Sequence, residues 1–223
     1  MPRLYSRGCP WNIDGVYTLS MPQKNTTREF AEDSYYHVYN RGWNKQAIFR
    51  DEDDYSFFES LLGRHLSVEE KSDAKGRPYK HLRDDIQLNA YCLMENHFHL
   101  LIHQDTPDGL TELMLSVMTS YTMYFNKKYQ QKGTLFESRY KAVRIENDAQ
   151  FMHISRYIHL NHYDFRVWSH SSYEDYLYGA RDWLDVAPIL ELFPSREAYV
   201  EFTADYEDLQ REHELLKKYL ADS

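Results

Sequence analysis

Ile86-Gln87-Leu88-Asn89-Ala90-Tyr91-Cys92-Leu93-Met94-Glu95-Asn96-His97-Phe98-His99-Leu100-Leu101-Ile102-His103 reads as two apolar runs, Ile86 to Met94 and Phe98 to His103, broken by Glu95-Asn96. Runs this short suit strands rather than helices, and a polar break of two residues suits a tight antiparallel turn set by Asn96 and its neighbours.

Upstream, Tyr35-Tyr36-His37-Val38-Tyr39-Asn40 is aromatic and branched, a third strand ended by Arg41-Gly42. Asp51-Glu52-Asp53-Asp54 places carboxylates where a helix N-terminus favours them, and Tyr55, Phe58, Leu61 and Leu62 follow at helical spacing. Residues 67–85 are polar, with Gly76 and Pro78, and read as a loop. Downstream, Leu110, Leu113, Met114, Val117, Met118, Tyr121 and Phe125 form one helical stripe that stops before Gly133. Tyr140 to Ile145 alternates as a strand. Asp148 is then the expected cap of a helix carrying Phe151, Ile154, Tyr157 and Ile158. The resulting order, β-α-β-β-α-β plus one helix, predicts an α+β, ferredoxin-like antiparallel sheet with helices on one face and extra C-terminal helices, two of them over 195–203 and 205–220. The expected organisation is an N-terminal extension over 1–33, a catalytic-sized domain over 34–165 and an acidic helical tail over 166–223.

The whole chain has 223 residues, 42% of them hydrophobic, enough for a core and against wholesale disorder. No window approaches the roughly 18 apolar residues of a membrane span, and residues 1–20 lack the apolar centre of a secretory signal, so no membrane association and a cytoplasmic protein are expected. Cys9 and Cys92 cannot build a disulfide framework and read as reduced thiols. Net charge is −9, which taken whole argues against nucleic acid. The distribution differs: residues 121–170 carry 8 basic and 4 acidic side chains, net +4, while residues 171–223 carry 5 and 13, net −8. A local field depends on where charges sit, so the basic middle keeps a polyanion open as partner.

The chemistry-bearing residues are unevenly placed. His97 and His99 alternate with Phe98, so in a strand both imidazoles project to one side, about 6.5–7 Å apart, where they could hold a divalent cation from one flank. Tyr157 and Asn161 stand four residues apart on the last core helix, with His153 on the same face. A phenol is a weak nucleophile unless a cation or base draws its proton, and a metal nearby would supply that help.

These segments resemble the single-tyrosine HUH transposases, in particular the REP-associated tyrosine transposase branch. The resemblance rests on Tyr36-His37-Val38-Tyr39-Asn40-Arg41-Gly42, on Ala90 to Leu101 with its Glu95-Asn96-His97-Phe98-His99 centre, on Tyr124-Phe125-Asn126, on Gly133 to Lys141, and on Arg156-Tyr157-Ile158-His159-Leu160-Asn161. They fall in the family's order and span about two thirds of the chain. Glu95, Ser138 and His162 stand where the family often has proline, glycine and proline. The resemblance implies His97 and His99 as metal ligands, Tyr157 as the nucleophile and Asn161 as the amide ligand, with His153, His162 and His103 as competitors for the third position. It also implies Mg²⁺ or Mn²⁺ as cofactor. The implied activity is cutting and transfer of single-stranded DNA through a 5′-phosphotyrosine, that is, transposition and DNA recombination.

A DNA path needs cations and stacking surfaces. Arg41, Trp43 and Lys45 after the first strand, and Arg139, Lys141 and Arg144 around the last, are the candidates, with Arg139, Lys141 and Val143 expected on one strand face. Hairpin or single-stranded DNA is the expected partner, bound by a monomer or a homodimer. A domesticated hairpin-binding protein that no longer cleaves is the alternative, and a ferredoxin-like RNA-binding module ranks behind both.

Overall fold

The computed structural model describes residues 30–205. Nearly all of the predicted N-terminal extension, and of the predicted helix over 205–220, lies outside those residues. The chain forms β1 (Ser34–Arg41), α1 (Glu52–Leu66), β2 (Ile86–Met94), β3 (His97–Gln104), α2 (Gly109–Lys128), β4 (Lys141–Ile145) and α3 (Asp148–His159), then the short α4 (Tyr173–Tyr178) and α5 (Ala187–Leu190). Residues 196–205 are again helical.

The sheet order is β2-β3-β1-β4, and every neighbouring pair is antiparallel. This is the ferredoxin-like βαββαβ arrangement expected from the sequence. Strand alternation assigns the two faces. Phe98 turns toward α1, its ring 5.2 Å from Phe58, and Phe58 meets Tyr121 of α2 at 5.1 Å. Phe58, Phe98 and Tyr121 are fully buried, and each large side chain removed from water contributes about 1.5–3 kcal/mol. His99 points the opposite way. On that second face lies α3, with Phe151 4.2 Å from Tyr35 and Tyr157 5.5 Å from His99. The two core helices therefore share one face, as expected, and the additional helix brings Tyr157 to the face they leave open.

Local chemistry explains the element ends. Asp51 caps α1 by accepting from the Asp54 N–H. The cap of α3 is Asn147, whose side chain accepts from Gln150 N, rather than the expected Asp148, which becomes the first helical residue. Asn147 has the extended backbone a cap needs, and Asp148 still places its charge in the first turn. At Gly42 the chain doubles back so closely that a Cβ would stand 2.1 Å from the Gln46 carbonyl oxygen. Its φ of −64° is ordinary, so glycine is required there for space.

β2 has a covered outer edge. Leu93 N–H donates to His170 O, Ser172 N–H to Tyr91 O and Asp185 N–H to Leu88 O, each within 3.0 Å. A register shift between Leu88 and Ala90 leaves Asn89 as the extra residue, its side chain donating to Asp185 O at 2.9 Å. The acidic segment thus covers the sheet edge. Its Tyr176 and Tyr199 are fully buried within the main core.

Candidate active site

Three elements meet on the open face. β3 supplies His97 and His99, β1 supplies His37 and Tyr39, and α3 supplies Tyr157. The register aligns Tyr39 with His99 and Arg41 with His97, so side chains of equal parity on β1 and β3 share this face. The rings of His97 and His99 lie 5.1 Å apart at nearly a right angle. Tyr157 packs edge-on against both His99, at 5.5 Å, and His37, at 5.9 Å. A phenol from the last core helix therefore rests beside the paired imidazoles within one chain.

Hydrogen bonds engage the ring nitrogens. Asn96 Nδ2 donates to Lys45 O at 3.2 Å, which turns Asn96 Oδ1 toward His97 Nδ1 at 2.7 Å. Nε2 of the same ring lies 3.0 Å from Asn161 Oδ1. Both oxygens accept, so a neutral His97 donates to one of them and turns a lone pair to the other. In the tautomer with the proton on Nδ1, the Nε2 lone pair and Asn161 Oδ1 leave an edge for a cation: ligand atoms at right angles about an ion with bonds of about 2.1 Å stand about 3.0 Å apart.

Burial keeps the imidazoles neutral. It pushes His37 down to about 4 and His99 well below the ordinary histidine value, with charge on His37 and His97 adding to that shift. It also lowers His97, where the Asn161 contact acts in the opposite sense and Arg41 in the same one. Neutral rings are the form that ligates metal. Two imidazole nitrogens and an amide oxygen fit a divalent first-row ion or Mg²⁺.

The competitors for the third position lie elsewhere. His153 Nδ1 is 2.8 Å from Arg156 Nη2, His162 stacks on Trp168 at 3.9 Å, and His103 stands six residues along β3, about 20 Å away by strand geometry. His103 meets Asp33 through Nε2 at 3.1 Å and Asp105 through Nδ1 at 3.8 Å. These three could hold an ion together, yet the two carboxylates engage opposite nitrogens of one ring, which is the geometry of a bridging imidazole. Asn161 differs from expectation in one respect. α3 ends at His159, and Asn161 N–H donates to Ile158 O at 3.3 Å in a closing turn. Asn161 therefore reaches His97 from a turn beyond the helix, and His153 does not share its surroundings.

Of the expected DNA-contacting residues, Arg41, Trp43, Lys45 and Arg139 are exposed near the His97 end of the sheet, where β1 ends and β4 begins. Trp43 is 56% exposed, a large apolar surface to leave in water. Arg41 forms a two-point ion pair with Glu137, which offsets its charge. Arg139 does not share a strand face with Lys141. The β1–β4 ladder begins at Tyr39 and Lys141, and Ser138-Arg139 bends away before it, held by Asn40 Nδ2 on Ser138 O at 2.9 Å. Lys141 lies on the active face, its Nζ 5.7 Å from the Tyr39 ring centre. Arg144 has the opposite parity, opposes Tyr36, and points to the α1–α2 side.

His37 is the site residue that sequence reasoning passed over. Its signal was the shared parity of Tyr35, His37 and Tyr39, which acquires meaning only once β1 is placed beside β3.

The family resemblance is supported over residues 79–161, which match the model of the family described as Transposase IS200 like; that segment holds His97, His99 and Tyr157, and ends on Asn161. No curated protein matches the chain. Among solved structures, it is similar to a REP-associated tyrosine transposase bound to a REP hairpin, at 15% identity and a TM-score of 0.51, over 73% of this chain and 93% of that one. A candidate transposase from Deinococcus radiodurans matches at 17% identity and a TM-score of 0.37, over 62% and 98% respectively. Among the described residues no helix is long and apolar enough to cross a membrane.

Proposed function

We propose that the protein cuts and rejoins single-stranded DNA beside a hairpin, with Tyr157 as nucleophile and His97, His99 and Asn161 as holders of Mg²⁺ or Mn²⁺. The observation that carries this reading is the meeting, within one chain, of the Tyr157 ring with His99 and of His97 Nε2 with Asn161 Oδ1 3.0 Å away. A divalent ion held there supplies Lewis-acid stabilisation of charge on the nonbridging phosphate oxygens. Tyr157 Oη gives up its proton and attacks phosphorus in line, the 3′ oxygen leaves and takes up a proton as the 3′ hydroxyl, and the 5′ phosphate stays esterified to the phenol. The energy of the broken phosphodiester is thereby conserved for rejoining, which hydrolysis would discard. Neutral His97 and His99 orient the site without adding charge of their own. Lys141 on the active face and the cluster of Arg41, Lys45 and Arg139 line the strand's approach, and Trp43 offers a face for stacking. Hairpin DNA as substrate is supported by the similarity in fold to the hairpin-bound transposase. Because every proposed group comes from one chain, a monomer suffices for cleavage in a cytoplasmic setting.

The test is a denaturing gel of labelled hairpin-bearing single-stranded DNA incubated with the protein and Mg²⁺ or Mn²⁺. A covalent adduct is expected, lost in Tyr157→Phe and in His97→Ala. Tight binding with no adduct, unchanged by Tyr157→Phe, would instead establish a binding protein that has given up cleavage.

A further inference from the structure

We propose that His37 is a positioning residue that fixes the tautomer of His99 and so turns its Nε2 toward the ion; the inference rests on the reading of His97, His99 and Asn161 as the metal site. His37 Nε2 and His99 Nδ1 are 2.9 Å apart, and their rings stack at 5.1 Å, 23° from parallel. The two side chains are 8% and 6% exposed, so water does not compete for this bond.

One nitrogen of the pair donates and the other accepts, which leaves two arrangements. If His37 donates, His99 accepts at Nδ1, carries its own proton on Nε2, and has no lone pair to offer. If His99 donates from Nδ1, its Nε2 is a lone pair and His37 accepts. Only the second arrangement makes His99 a ligand. His97 offers the same arrangement: with its proton on Nδ1 it donates to Asn96 Oδ1, 2.7 Å away, and presents Nε2. Both ligands are thus gripped at Nδ1 and free to bind through Nε2, each by a partner from outside the ligand set.

The identity of the grip has a consequence. Metal-bound histidines often donate to a carboxylate, whose negative charge raises ligand basicity and tightens the ion. Here the groups that meet the imidazole nitrogens are Asn96, His37 and the co-ligand Asn161, all uncharged. The ion's charge is therefore left undiminished for the phosphodiester, and it is held less tightly than a carboxylate partner would hold it.

The test measures Mn²⁺ binding to the DNA-free protein by electron paramagnetic resonance, for wild type, His37→Phe, His37→Gln and His97→Ala. His37→Phe keeps a ring in the stack and removes the acceptor, and is expected to weaken Mn²⁺ by about 10–100-fold. His37→Gln restores an acceptor oxygen and recovers most of that loss, while a purely structural role would not distinguish the two. In parallel, ¹⁵N-resolved NMR of wild type saturated with Mg²⁺ should find the His99 proton on Nδ1. A proton on Nε2, or full Mn²⁺ affinity in a folded His37→Phe, overturns the inference while His97→Ala still loses the ion. If His97→Ala also keeps full affinity, or wild type takes up no Mn²⁺, the metal-site reading itself falls and takes the inference with it. Should His37→Phe fail to fold, the wild-type NMR experiment decides alone.

Discussion

Lowering the pH should destabilise the fold through His159, and the size of the effect follows from its surroundings. His159 is fully buried at the C-terminal end of α3. Its Nε2 meets Ser172 Oγ at 2.8 Å and its Nδ1 meets Tyr199 OH at 2.7 Å, so it ties the helix that carries Tyr157 to the segment covering β2. Burial pushes it from 6.5 down to about 3. The unfolded chain therefore accepts a proton that the folded protein refuses. Its contribution is complete above about pH 6.5 and is lost as pH falls toward 3. Between about pH 7.5 and pH 5 the loss amounts to about 2 kcal/mol, taking 1.36 kcal/mol per pKa unit. That is a large share of a typical total of about 5–15 kcal/mol. Urea unfolding followed by circular dichroism at the two pH values measures it, provided the slope with denaturant stays constant. The other histidines, including His170, whose shift has the opposite sign, are common to wild type and His159→Gln. The variant should lose about 2 kcal/mol less stability across that interval, whatever its starting value. An identical pH dependence in the two proteins would refute the reasoning.

Two further outcomes follow from placement and burial. Lys141→Ala should weaken hairpin binding several-fold and reduce its salt dependence by about one counterion, whereas Arg144→Ala, on the α1–α2 side, should leave both nearly unchanged; fluorescence anisotropy across a salt series separates them, and equal losses would move the DNA path. Cys92 is fully buried, and burial pushes its thiol up to about 12, so in a Cys9→Ser background Ellman's reagent should label it only as fast as the protein unfolds, which a stopped reaction in increasing urea checks.

The sheet was legible because periodicity is a local property. The alternation through Ile86–His103 and Tyr35–Asn40 and the stripe from Leu110 to Phe125 each identify an element without knowledge of its neighbours. What stayed hidden depended on registers and ends. The cap of α3 moved one residue, to Asn147, because adjacent Asn and Asp satisfy the same rule and only backbone conformation chooses between them. Arg139 looked like a strand residue by parity, but the ladder stops at Lys141. Asn161 reached its place through a turn that helical spacing did not foresee.

The same distinction explains the candidate site. Motif resemblance singled out His97, His99, Tyr157 and Asn161 because they sit in continuous segments with recognisable neighbours. His37 belongs to such a segment too, yet nothing local marks it as different from the other aromatic residues of β1. Its meaning comes from the pairing of Tyr39 with His99, which places His37 diagonally across from that ring, at hydrogen-bonding distance for two imidazoles. A carboxylate in that position would also have been within reach of His99 Nδ1–H, but burial of an unpaired negative charge there would cost far more than burial of a neutral ring. The strand that closes against β3 thus selects both the partner and its chemistry: a small aromatic acceptor that can be buried uncharged, stack on its neighbour, and still fix where the proton sits.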